Sequence, residues 1–315
     1  MDIVQILREK AKKNLKTIVL PEGEDRRVAE AASRIEAEKI AKVIVLTKDT
    51  LEAEKKKEYV QTYFTMRQYK GISEEEAAQA IGNPLFYAAM MVREGIADGF
   101  VAGSLATTSD VARAAFYCLG LDKRYSVMSS AFIMAIPNCA RGEEGVFFFA
   151  DCGIIPDPSP RQLANIAIAT SRLARQLFDF NARVAMLSYS TKGSAEGRFV
   201  DKVKEATELA KTLAPDLIID GEVQADVAIE PKVAAMKDPK GIIRGDANVL
   251  IFPNLEAGNI AYKLVQRLTN ARAMGPILLG LNAPCSDLSR GCNVDDIIDC
   301  VAVTSLRAHS FHENI

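Results

Sequence analysis

The chain has 315 residues, with 39 basic against 41 acidic side chains and a formal net charge of −2. A length of this order predicts about two domains at roughly 150 residues each, and such a chain hides roughly three-quarters of its unfolded surface without disulfide or metal staples. The charge balance excludes a nucleic-acid partner from the expectations, because no cationic excess faces a phosphate backbone, and 49% hydrophobic with 25% charged residues is the make-up of a soluble globular protein.

Residues 1–13 (MDIVQILREKAKK) read as an amphipathic helix without the apolar region of a signal peptide. Short apolar runs follow at 17–20 (TIVL), 43–46 (VIVL), 99–102 (GFVA), 146–150 (VFFFA), 184–187 (VAML), 217–220 (LIID) and 249–252 (VLIF). None alternates with polar residues, which is how a strand covered on both faces reads. The lysine-rich stretch 52–57 reads as a solvated helix end, and a hinge is placed near residues 120–125. The longest apolar stretch, 127–137, contains serines and ends on proline, too short to cross a bilayer, so no membrane partner and a cytoplasmic location are expected. Ser159, Pro160 and Gln162 spell a capping box with proline at the first helical position. The stripe Leu163, Ile166, Ala167, Thr170, Leu173, Ala174 and Leu177 continues that helix, and Val203, Ala206, Ala210 and Leu213 mark another, closed by Pro215. Alternation of strand and helix predicts an α/β fold with mostly parallel sheets.

Chemistry is read first by elimination. Six cysteines (118, 139, 152, 285, 292 and 300) form no C-x-x-C pair, so neither a disulfide scaffold nor zinc is expected. The two histidines, His309 and His312, lie in the last seven residues, which disfavours histidine-based nucleophilic catalysis or metal binding. A general base is then expected among carboxylates, lysines, tyrosines or cysteines. Glycine fingerprints for dinucleotides or nucleoside triphosphates are missing. What remains is a series of glycine, serine and threonine clusters at strand ends: residues 102–110, 188–195, 220–226, 252–259 and 287–292. Singly these are ordinary turns. Together they predict an anion-binding cleft, since small residues let backbone N–H groups approach a charge. The turn at Ser289 and Arg290 is the most informative. Asn293 is a good N-cap, Asp296 falls in the first helical turn, an arginine fork suits a phosphoryl group and a nearby carboxylate can take a proton. The plainer reading of Asp296 is that it complements the helix dipole.

The segments PEGEDR (21–26), ADG (97–99) with TTSD (107–110), FADCG (149–153), LSYSTKGSA (187–195), DGE (220–222), NVLIFP (248–253), AGNI (257–260) and DLSRGC (287–292) together resemble the phosphate acetyl/butyryl transferase family, over nearly the whole chain. The resemblance implies reversible transfer of an acetyl group between CoA and inorganic phosphate, with CoA, acetyl phosphate and phosphate as small-molecule substrates. It implies no resident cofactor and no metal, a homodimer, functional coupling to an acetate kinase, and the short form of the family. Two α/β domains are implied, 1–124 completed by 279–315 and 125–278, with an active-site cleft between them. Carried over by motif, Ser289 and Arg290 form the catalytic pair and Asp296 is the catalytic aspartate. Arg67 (in FTMRQYKG) and Arg113 (in SDVAR) bind substrate, and Cys139 (in IPNC) is a cleft cysteine whose modification bears on activity. Thr108, Ser130, Ser190 and Lys192 complete the substrate-binding set. Without the resemblance Arg67 reads as a surface arginine, Arg113 as the partner of an acidic neighbour and Cys139 as a packing residue.

The expected mechanism is direct: Asp296 deprotonates the CoA thiol, the thiolate attacks acetyl phosphate in a ternary complex, Arg290 holds the phosphate and Ser289 donates to the developing oxyanion. Phosphate is a good leaving group, so a metal is not chemically required. Ala114 stands where the family commonly has proline, and residues 283–286 read APCS where K-P-V-N is common, which keeps a butyryl- or propanoyl-preferring transferase open. A nicotinamide-linked hydroxy-acid dehydrogenase lacks its lysine-tyrosine pair here. A non-catalytic CoA or phosphate sensor would need no base.

Overall fold

The computed structural model describes residues 3–313, with side chains through His309. The chain folds into two compact units, one running to Leu121 and resuming at Leu281, the other Asp122–Gly280. The first opens with α1 (Ile3–Lys12), β1 (Thr17–Leu20), α2 (Arg26–Ala37), β2 (Lys42–Val45), α3 (Ala53–Arg67), α4 (Glu74–Ile81), α5 (Pro84–Arg93), β3 (Gly99–Ala102) and α6 (Thr108–Leu119). The second comprises β4 (Ser129–Ala135), β5 (Val146–Ala150), α7 (Pro160–Leu177), β6 (Arg183–Leu187), α8 (Arg198–Leu213), β7 (Ile218–Val223), α9 (Ala225–Ile229), α10 (Pro231–Lys237), β8 (Val249–Ile251), α11 (Leu255–Thr269) and β9 (Arg272–Leu279). The chain then returns to the first unit with β10 (Cys285–Asp287) and α12 (Val294–Glu313).

In the first unit the strands run β2-β1-β3-β10, all parallel. Strand β3 is buried throughout, as an apolar run covered on both faces must be. Parallel pairing puts the carboxyl ends of β1, β3 and β10 side by side, with Asp287 opposite Ala102. The order reverses between β1 and β3, the place where open sheets bind ligands. Helix α12 is tied to the helices beside it by Arg8, which donates to Asp299 at 2.8 Å and Asp295 at 3.1 Å, and by Arg34, which donates to Asp295 at 2.9 Å. His309 holds the carbonyl of Asn14 at 2.6 Å; the side chain of His312 lies outside the described residues.

The second unit's strands run β9-β4-β5-β8-β6-β7, with β5, β8, β6 and β7 parallel and β4 antiparallel to both of its neighbours. The sheet's aromatic face packs Phe132, Phe147, Phe149, Leu250 and Phe252 into one apolar cluster. Helix α7 starts on the capping box read from the sequence: Ser159 Oγ accepts from Gln162 N–H at 3.3 Å and Gln162 Oε1 from Ser159 N–H at 2.9 Å. Strands β4, β9 and β10 were not among the expected ones. β4 opens on two serines, β9 carries Gly275 and Pro276 in its middle, and β10 is only Cys-Ser-Asp. β10 has no apolar run and that of β9 is broken by Gly275-Pro276, while the AFIMA run of β4 lies in the 127–137 stretch considered only for membrane crossing. No helix among the described residues is long and apolar enough to cross a membrane.

Candidate active site

The turn after β10 carries the first three candidates. The backbone closes by Cys292 N–H donating to the Ser289 carbonyl at 2.8 Å, and Ser289 Oγ accepts weakly from Gly291 N–H at 3.3 Å. The Ser289 hydroxyl proton is thereby left for another acceptor. The Arg290 guanidinium is exposed and has no partner among the described residues. Asn293 and Asp296 cap α12 reciprocally: Asp296 N–H donates to Asn293 Oδ1 at 3.0 Å and Asn293 N–H to Asp296 Oδ2 at 2.9 Å. Both readings of Asp296 therefore survive. One oxygen serves the helix start, and the half-buried carboxylate keeps the other.

This turn is held from the start of α2. Arg27 makes a two-pronged pair with Asp25, through Nε at 3.1 Å and Nη2 at 2.6 Å. Its Nη1 donates to the carbonyls of Arg290 at 2.9 Å and Cys292 at 2.7 Å, and its Nη2 to that of Ser104 at 2.9 Å. The Asp25 carboxyl is held below its ordinary range chiefly by these Arg27 hydrogen bonds.

The 102–110 cluster does offer a ring of N–H groups, but the chain itself occupies it. Glu22, from the same PEGEDR loop, accepts from the N–H groups of Gly103 at 2.7 Å, Ser104 at 2.8 Å, Leu105 at 3.0 Å and Ala106 at 2.7 Å, and from the Ser104 hydroxyl at 3.0 Å. The expected anion seat on these amides is corrected: a buried carboxylate fills it. Thr107 then caps α6, and Thr108 Oγ1 donates to Asp287 Oδ2 at 2.6 Å. Burial pushes the Asp287 carboxyl up to about 7, and its other oxygen has no hydrogen-bond partner among the described residues. Gly103 has φ +112°, and a Cβ there would stand 2.2 Å from that oxygen, so only glycine fits.

Helix α6 gathers two more candidates. Arg113 is half exposed and pairs with Asp110 at 3.2 Å, as the plainer reading expected. Arg67, at the end of α3, sits over the Tyr117 ring with its Cζ 3.7 Å from the centroid, and its buried Nε has no hydrogen-bond partner among the described residues. Tyr117 stands one helical turn beyond Arg113, on the same face of α6. The structure thus brings Arg67 and Arg113 to one helix face, through an aromatic residue that the sequence reading passed over.

In the second unit, Ser130 is fully buried and donates to Asp151, whose carboxylate also accepts the N–H groups of Gly153 at 2.9 Å and Ile155 at 2.9 Å. Burial pushes the Asp151 carboxyl up against these bonds. Ser190 donates to Glu222 at 3.0 Å, and Glu222 also accepts Gly193 N–H at 2.7 Å, so the 188–195 cluster is likewise filled from within. Lys192 pairs with Asp220. Burial alone would raise the Asp220 carboxyl, but Lys192 and the N–H groups of Ile242 and Gly221 outweigh it and hold it low. The 252–259 cluster is a helix start, with Asn254 Oδ1 accepting Ala257 N–H at 2.9 Å. Cys139 lies apart from Ser130, Ser190 and Lys192. It sits in the β4–β5 hairpin at the amino end of β5, packed partly on the apolar cluster, whereas those three sit at the carboxyl ends of the parallel strands. At about 3.3 Å per residue the separation is roughly 15 Å.

Comparison with known proteins points one way. The profile of a family described as Phosphate acetyl/butaryl transferase matches residues 2–305. The chain is 46% identical, over an alignment of 327 positions, to a phosphate acetyltransferase of Thermoanaerobacterium thermosaccharolyticum, covering 98% of this chain and 100% of the relative. It is 44% identical to one of Acetivibrio thermocellus, covering 98% of each. Among solved structures, a phosphotransacetylase from Streptococcus pyogenes aligns with a TM-score of 0.90 at 36% identity, covering 98% of each chain. A branched-chain phosphotransacylase from Enterococcus faecalis shares the fold at a TM-score of 0.65 and 15% identity.

Proposed function

The chain belongs to the Phosphate acetyl/butaryl transferase family, and from that premise we propose how its residues carry out phosphate acetyltransferase chemistry, the reversible transfer of an acetyl group between CoA and phosphate. In the thioester-forming direction Asp296 takes the proton of the CoA thiol through the oxygen that the helix cap leaves open. A free thiol has a pKa of about 8.5, so at neutral pH a base is needed to reach the thiolate, and a placed base contributes about 10²–10⁴-fold. The thiolate attacks the acetyl carbonyl of acetyl phosphate. Ser289 donates its free hydroxyl proton to the oxyanion as charge develops there. Arg290 takes the phosphoryl oxygens bidentately and keeps them as the C–O bond to phosphate breaks. Arg67 and Arg113 bind the anionic part of CoA from the α6 face. Thr108 spends its donor on Asp287 beside the β10 turn, and in the second unit Ser130, Ser190 and Lys192 hold the carboxylates of their own loops; Cys139 is assigned no contact with the reacting atoms.

The observation that carries this reading is the contrast at the β10 turn. Arg27 and Arg113 are paired, while the exposed Arg290 guanidinium has no partner among the described residues and follows directly on a serine whose hydroxyl proton is uncommitted. The test follows thioester absorbance with acetyl phosphate and CoA. Arg290→Ala should lower kcat by about 10²–10³-fold with the fold intact, and Asp296→Asn should cost about 10²–10⁴-fold, partly restored as rising pH ionises the thiol without help. Near-normal turnover in either variant removes that residue from its role. Repeating the assay with butyryl phosphate reads the acyl preference.

The same reading extends to assembly and setting. α11 exposes Ile260, Leu264 and Leu268 at 58%, 55% and 79%, one apolar stripe at helical spacing, which supports a homodimer joined through this helix. A cytoplasmic location, a place in acetate metabolism and supply of acetyl phosphate by an acetate kinase complete the proposal.

A further inference from the structure

The first turn of α2, which follows the PEGEDR loop, has no part in the mechanism above, yet its Arg27 reaches the backbone of the β10 turn. A guanidinium has five N–H donors in a rigid plane. For Arg27 all five have acceptors: Nε takes Asp25, Nη1 takes the Arg290 and Cys292 carbonyls, and Nη2 takes Asp25 and the Ser104 carbonyl. Nothing is left for a substrate. Arg290 has the opposite character: its backbone is gripped and its guanidinium is free. Arg27 also joins three loops that meet at the carboxyl ends of β1, β3 and β10, and Asp25, only 8% exposed, anchors its charge.

We propose that Arg27 is a positioning residue for acetyl transfer: by holding the carbonyl oxygens of Arg290 and Cys292 against the Ser104 loop, it fixes the direction in which Ser289 and Arg290 present their side chains. The inference rests on the catalytic reading of Arg290. Lysine at position 27 keeps the charge beside Asp25 but has three donors on one atom and cannot span four acceptors on three loops. Without the clamp the turn loses the two carbonyl bonds that set its orientation, and a displacement near 1 Å at a reacting centre is worth about 10²-fold.

The experiment is a double-mutant cycle on the full chain, with Arg27→Ala, Arg290→Ala and the pair, read as kcat and KM for acetyl phosphate and CoA. Arg27→Ala should lower kcat by about 10–10²-fold, with KM for CoA changed less than threefold, and should cost less than about twofold more once Arg290 is already alanine. Arg27→Lys should recover part of the loss. A second readout does not depend on turnover. The Cys292 N–H closes the turn on the Ser289 carbonyl, so its labelling by solvent deuterium, mapped by mass spectrometry, should accelerate at least tenfold in Arg27→Ala. Should Arg27→Ala be too unstable to assay, Arg27→Lys alone must show both a lowered kcat and faster Cys292 labelling. Wild-type kcat in Arg27→Ala, or the same fold-loss with and without Arg290, overturns the proposal. Full activity in Arg290→Ala overturns the catalytic reading beneath it instead, so the two failures look different.

Discussion

Three charged side chains near one turn show how surroundings decide role. Among the described residues Arg290 is unpaired and exposed, Arg27 is fully committed, and Asp287 is a carboxyl that burial holds up to about 7, with Thr108 as its one side-chain donor. The sign for Asp287 follows from linkage. Its folded pKa lies above the unfolded value near 3.9, so the native state binds the extra proton between about pH 4 and 7. Its contribution is therefore fully present below pH 4 and is lost as pH rises through 7, with a slope of at most about 1.4 kcal/mol per pH unit. Asp287→Asn should flatten the stability curve over that window and leave the variant more resistant to urea than wild type at pH 8. Parallel denaturation midpoints for the two proteins from pH 4 to 8 would show that Asp287 does not titrate there.

At the scale of elements, the loops at strand ends are stabilised by carboxylates rather than opened for ligands. Glu22 alone satisfies four consecutive N–H groups ahead of α6. Glu22→Gln would turn an amide N–H₂ toward two of those donors. With about 1–3 kcal/mol for each buried group left unmatched, unfolding free energy should fall by about 2–6 kcal/mol, read as an earlier urea midpoint with an unchanged slope. An unchanged midpoint would mean that the loop keeps its shape without the charge. The same loops show what was legible beforehand. The caps at Ser159 and Asn293 could be read because both partners lie within four residues, and the strands β1, β3 and β5 because apolar runs announce them. Glu22 and Gly103 lie 81 positions apart, and no local pattern signals that an acidic residue after one strand will fill the amides after another. Arg67 was found only by family likeness, and Tyr117, which seats it, by neither route. The antiparallel β9 escaped because a Gly-Pro step breaks its apolar run, and β4 because its AFIMA run sits in a longer apolar stretch weighed only as a membrane span.

For the molecule as a whole, each unit follows one rule: parallel strands bring loops to a common end, and internal acids neutralise the amides there. What is left uncovered is then informative, both at Arg290 and along α11. Leu264→Glu with Leu268→Glu should shift the protein to half its native mass in sedimentation equilibrium while the fold persists, and an unshifted mass would place any subunit contact elsewhere. The Arg27 clamp joins positions 263 residues apart, near opposite termini of the chain. A transplant of the DLSRGC segment into another sheet would therefore carry the reactive groups without their mooring, and chimeras crossed anywhere between the two must inherit both ends from compatible parents to stay active.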